Sequence, residues 1–93
     1  MKTERAIKTL SKYAKVEKTE YGMYYAIRNN KEGVNYTISF YDQEGTIICL
    51  HTKRTADQAD SNSDYFPGSF APSLKRALCW AWNIEAKQIQ AVA

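Results

Sequence analysis

A chain of 93 residues, 44% hydrophobic and 13% aromatic, suits one small domain over residues 1–93 with a single core, and excludes a second domain. A charged fraction of 25% beside that aromatic content is far from the composition of disordered chains. No apolar run approaches the roughly 20 residues of a membrane span, and Met1 to Lys8 alternates charged with single apolar residues unlike a secretory signal, so a cytoplasmic protein with no membrane partner is expected.

The net charge of +3 is uneven. Residues 1–18 hold six basic and two acidic side chains, so an affinity for polyanions is expected at the amino-terminal end. The spacing of Ala6, Ile7, Leu10, Tyr13 and Ala14 predicts an amphipathic helix over residues 3–15, with Arg5, Lys8, Lys12 and Lys15 on the opposite face and Thr3 as its N-cap. From Tyr21 the period changes to two. Met23, Tyr25 and Ile27 are expected to face inward, with Tyr24, Ala26 and Arg28 facing outward. After a turn at Asn29 to Gly33, Val34, Tyr36, Ile38 and Phe40 alternate with Asn35, Thr37, Ser39 and Tyr41, the clearest strand in the chain. A hairpin loop at Asp42-Gln43-Glu44-Gly45 leads to a third strand, Thr46 to Arg54, with Ile48 and Leu50 inward and Ile47, Cys49, His51 and Lys53 outward.

A polar, then aromatic loop, Ser61 to Leu74, holds both prolines and joins the β half to the α half. Pro72 suits the first turn of a helix, whose core stripe is Leu74, Ala77, Leu78 and Ala81 through Trp82. Trp80 and Trp82 cannot share that stripe, so at least one is expected at a sheet edge or against a partner. The tail, residues 83–93, fits a short helix, a strand or a frayed end. The whole reads as an α+β domain of order α-β-β-β-α, a three-stranded antiparallel meander with both helices on one face. Its open face would carry Tyr24, Arg28, Thr37, Tyr41, His51 and Lys53.

Constellations that carry chemistry are incomplete. Asp60, Asn62 and Asp64 open like a calcium loop, but Tyr65 and Ala71 stand where glycine and a bidentate glutamate are needed. Cys49 and His51 share a strand face without further zinc ligands, and Cys49 and Cys79 read as small buried hydrophobes in a reducing compartment. No phosphate loop, paired carboxylates or nucleophile turn is present, so neither metal, cofactor nor catalysis is expected.

The run Ala56-Asp57 through Asp60, then Ser63-Asp64-Tyr65-Phe66-Pro67-Gly68-Ser69-Phe70 and Leu74 to Leu78, resembles the carboxy-terminal signature of the large polyvalent protein-associated domains, the twenty-ninth of that series. The resemblance covers residues 3–82. It implies a protein of a phage or conjugative element, acting in a bacterial host in early infection or counter-defence, with no catalytic residues to carry over. Within it Asp64 would accept backbone N–H bonds, while Tyr65, Phe66 and Phe70 would pin the loop over helix and sheet. The element order also resembles a double-stranded RNA-binding domain, with Lys75 and Arg76 near the basic second-helix start. Two functions are therefore expected. The first is binding to a host or phage protein through Tyr24, Tyr41, His51, Trp80 and Trp82; the alternative is binding to nucleic acid through Arg5, Lys8, Lys12 and Lys15.

Overall fold

The computed structural model describes residues 1–55 and 69–89. Helix α1 (Thr3–Ser11) is followed by strands β1 (Glu17–Lys18), β2 (Met23–Asn29), β3 (Asn35–Gln43), β4 (Thr46–Thr55) and β5 (Ser69–Phe70), then by helix α2 (Leu74–Trp82) and a 3-10 turn at Ala86–Gln88. The strands form one antiparallel sheet whose spatial order equals the chain order. The expectation of an α+β domain with two helices and a meander stands, but the sheet has more than three strands. The added strands, β1 and β5, are two residues each, too short for any alternation to show in the sequence.

Local chemistry explains the connections. Asn30 bends the β2–β3 turn by accepting the backbone N–H groups of Glu32 and Val34 at 2.9 and 3.1 Å on its side-chain oxygen. The β3–β4 hairpin closes on two residues, Glu44 and Gly45, whose φ values of +52° and +85° are those a type I′ turn demands. In α2, Ser73 is the N-cap and its hydroxyl accepts the Arg76 N–H at 3.2 Å. Pro72 therefore precedes the cap instead of occupying the first turn. Asn83, left-handed at φ +57°, ends the helix.

Helix α1 is shorter than its apolar periodicity: it stops at Ser11, with Lys12 as C-cap, and Lys15 lies beyond it. Its N-cap is Lys2, and Thr3 instead donates its hydroxyl to the Asp42 carboxylate. Ala6 and Leu10 join Ala26, Ile38, Phe40 and Leu50 of the sheet and the Leu74, Ala77, Leu78, Ala81 and Trp82 stripe of α2 in one core, which Ile84 and Ile89 of the tail complete. Full burial of each Leu, Ile or Phe among them contributes about 1.5–3 kcal/mol.

Two strands turn other faces to that core than the sequence suggests. On β2, pairing with β3 sets Tyr24 opposite Phe40, Ala26 opposite Ile38 and Arg28 opposite Tyr36, so these residues face the helices and Met23, Tyr25 and Ile27 face away. Tyr24 stacks on Phe40 at 5.6 Å, and the Arg28 guanidinium lies 5.6 Å from the centre of the Tyr13 ring. On β4 the register to β3 slips by one residue between Ser39 and Tyr41, which places Cys49 in a bulge at φ +53°. Beyond that bulge Leu50 faces inward and His51 and Lys53 outward, as alternation predicts. Before it the faces exchange: Ile47 packs on the core and Ile48 stands opposite Tyr41 on the outer side.

Candidate functional site

The outer face of the sheet is built in cross-strand rows. Met23, Tyr41 and Ile48 form one row, Tyr25, Ser39 and His51 the next, and Ile27, Thr37 and Lys53 a third. Phe70 of β5 pairs with His51 and extends the second row. Thr37 and Ser39, short side chains on the central strand, are buried between their larger neighbours. Among the described residues seven large apolar side chains are more than a third exposed, and Ile27, Tyr41, Ile48 and Phe70 are four of them, all on this face. Such clustering of apolar exposure marks a contact surface more often than scattered single residues do.

Polar groups frame this strip. The Tyr25 hydroxyl donates to the Glu17 carboxylate at 2.9 Å, and Lys15 approaches the same carboxylate at 3.4 Å. The hydrogen bond from Tyr25, then Lys15, hold the Glu17 carboxyl below its usual range, and the same bond to Glu17 raises the Tyr25 hydroxyl. Burial lowers the Lys53 amine. The His51 ring meets Phe70 edge-on at 3.9 Å, and its Nε2 is buried without a hydrogen-bond partner.

The residues expected to contact a protein do not form one surface. Tyr41 and His51 lie on the outer face, whereas Trp80, 46% exposed, is on α2, the layer across the sheet. Two expectations are corrected. Tyr24 faces the helices, because register and not local alternation decides the side of β2, and there it stacks on Phe40 with the Lys18 ammonium 5.3 Å from its ring centre. Trp82 is 2% exposed and donates its indole N–H to the Tyr36 carbonyl at 2.9 Å, so it is a core residue that ties α2 to β3.

The basic residues keep only part of their expected common face. Arg5 and Lys8 line a cleft between α1 and β4, Lys12 caps the helix, and Lys15 is drawn to Glu17 beside β1. Of the loop motif, Asp64, Tyr65 and Phe66 lie outside the described residues, as does the calcium-like run. Phe70, expected to pin the loop over helix and sheet, is 68% exposed and packs on the His51 ring of the sheet. Cys49, expected as a small buried hydrophobe, is instead exposed, because the bulge turns it out of the ladder, and Cys79 is half-buried on α2. Among the described residues no three His, Cys, Asp or Glu side chains gather as a metal site, and no helix is long and apolar enough to cross a membrane.

Sequence reasoning missed Met23, Tyr25, Ile27 and Ile48 as outer-face residues. For β2 the missing information was the register. For Ile48 it was the bulge, seen in the register slip and the left-handed Cys49. Fold and surface together define a small α+β domain with an apolar outer sheet face. No family model matches the chain, and neither a curated protein nor a solved structure is significantly similar to it.

Proposed function

We propose that this protein is a non-enzymatic protein-binding module that docks through the outer face of its sheet, with Tyr41 at the centre. The observation that carries this reading is the clustering of Ile27, Tyr41, Ile48 and Phe70 on one face. Three other features support it. Met23 and Tyr25 fill the gaps in the strip, the aromatic rings are of the kind enriched at binding hot spots, and the strip is framed by groups able to form hydrogen bonds, Tyr25, His51 and Lys53. The resemblance of the Ser63 to Phe70 run to polyvalent protein-associated domains gives the partner a context, a host factor met by a phage or conjugative element in the bacterial cytoplasm. In that setting occupying a surface is enough to inhibit.

Lys15, drawn to Glu17 beyond the end of α1, leaves the track of Arg5, Lys8 and Lys12 shorter than a nucleic-acid binder needs, which favours this reading over that alternative. The test is capture from a bacterial lysate, with and without nuclease treatment, using the wild-type chain, Tyr41→Asp and Lys8→Glu. One host protein retained by the wild type and by Lys8→Glu, and lost with Tyr41→Asp, supports the reading. Recovery of nucleic acid alone, abolished by Lys8→Glu, overturns it.

A further inference from the structure

The outer sheet face has relief as well as apolar character. Its middle strand, β3, presents short side chains there, Thr37 and Ser39, whereas the β2 residues paired with them, Ile27 and Tyr25, are large, and so are Lys53 and His51 on β4. Thr37 and Ser39 therefore lie buried at the bottom of a trough, and Ile27 stands exposed on the ridge along β2. Adjacent strands are about 4.8 Å apart, so ridge and trough are separated by one strand spacing. A surface that fills the trough and receives the ridge needs the same two features at the same spacing in the opposite order. A second copy of this face, turned over, presents them.

The operation is a two-fold axis parallel to the strands, between β2 and β3. It sets β2 of one copy over β3 of the other and β1 over β4, each contact being made twice. Glu17, Tyr25, Ser39 and His51 lie in one row across the sheet, and the axis leaves positions along the strands unchanged. Tyr25 thus covers the second copy's Ser39, Ile27 covers its Thr37, Met23 meets its Tyr41, and Glu17 comes across from its His51. Among the described outward-facing residues of the strands the charged ones are Glu17 and Lys53, one of each sign. The net +3 of the chain is carried elsewhere, so like charge does not hold two such faces apart. The area is also sufficient. Strands of seven to ten residues, with β1 and β5 beside them, make a face of about 20 by 25 Å, or roughly 500 Å² in projection. Its ridges add accessible area to that figure, which brings it to the roughly 600 Å² per partner where standard interfaces begin.

We propose that the isolated protein closes its outer face with a second copy, as a two-fold dimer in which the Tyr25 and Ile27 ridge of each copy fills the Thr37 and Ser39 trough of the other. The proposal rests on the outer face being a docking surface and names its occupant when no host partner is present. Sedimentation equilibrium of the full chain shows the mass rising from 10.7 kDa toward twice that value at concentrations below about 1 mM. In a mixture of labelled and unlabelled chains, isotope-filtered NOEs join Glu17 to the His51 ring, groups three strand spacings or about 14 Å apart within one sheet. Ile27→Asp and Tyr41→Asp each weaken the dimer at least about tenfold, while Trp80→Ala, in the helical layer, changes it less than about twofold. If the aspartate variants do not fold, the filtered NOEs of the wild type decide alone. The proposal is overturned by a monomer at about 1 mM, by aspartate variants that dimerise as the wild type does, or by contacts between copies centred on α1 or α2. A monomer that still captures a host protein through Tyr41 overturns the dimer and leaves the docking reading in place. A dimer on this face with no host protein captured supports the dimer and overturns docking on a host factor.

Discussion

Trp82 provides the sharpest test of how the fold is held. The side chain is 2% exposed, and its indole N–H reaches a strand carbonyl 46 positions away, that of Tyr36, at 2.9 Å. Trp82→Phe keeps a ring in the core but removes the donor and part of the bicycle. Tyr36 is half-buried and paired to strands on both sides, so loss of the indole donor costs about 0.5–1.5 kcal/mol, and the missing ring atoms cost about 1–2 kcal/mol in transfer and cavity terms. The sum is about 1.5–3.5 kcal/mol, which for a domain of this size lowers Tm by roughly 10–20 °C. Urea denaturation followed by far-UV circular dichroism measures it, with Trp80→Phe as the internal control. Trp80 is 46% exposed on the same helix, so its replacement should change stability by less than about 0.5 kcal/mol. Equal stability of the two variants would refute the reasoning, for it would mean that the Tyr36 carbonyl loses nothing with the indole and that α2 is not anchored there.

The bulge makes a ranking at Cys49. Because φ is +53° there, Cys49→Val should be less stable than Cys49→Gly by about 1–2 kcal/mol in denaturant melts, the reverse of the order strand propensity gives. The hydrogen bond between Tyr25 and Glu17 makes a prediction about pH. Glu17 is lowered, so its contribution is present above the ordinary glutamate range and lost as pH falls through the lowered value; Tyr25 is raised, so its contribution is present below the ordinary tyrosine range and lost as pH rises through the raised value. In a carboxyl-carbon NMR titration, Tyr25→Phe should therefore move Glu17 up toward its ordinary value while Lys15 still holds it somewhat below, and an unmoved Glu17 would remove the hydrogen bond as the main cause.

The legible parts of the sequence are those where one face is plainly more apolar than the other. Tyr36, Ile38 and Phe40 against Asn35, Thr37 and Ser39 leave β3 no choice, and the α2 stripe is equally one-sided. On β2 the two candidate faces, Met23, Tyr25 and Ile27 or Tyr24, Ala26 and Arg28, are similar in size and polarity, so local pattern cannot decide between them. The decision comes from the neighbouring strand, where Ala26 fits against Ile38 beneath the helices. On β4 alternation reads correctly after Cys49 and fails before it, since a single extra residue inverts the faces. The Tyr41, His51 and Lys53 part of the outer face was legible, and the Met23, Tyr25, Ile27 and Ile48 part was hidden for the same two reasons.

The anchorage of α1 also orders the assembly of the chain in time. Its first turn is held by the Gly45 carbonyl, the Asp42 carboxylate and a bridge between Lys2 and Thr46, all at the tip of the β3–β4 hairpin. Those partners are about forty positions downstream and exist as a unit only after the two-residue turn has closed, a local event on the microsecond scale. Docking of the helix nearest the amino terminus is thus expected to follow closure of the hairpin, although the helix is made earlier. Substitutions at Ala6 or Leu10 should accordingly speed unfolding more than they slow folding, whereas substitutions at the hairpin tip should slow folding itself.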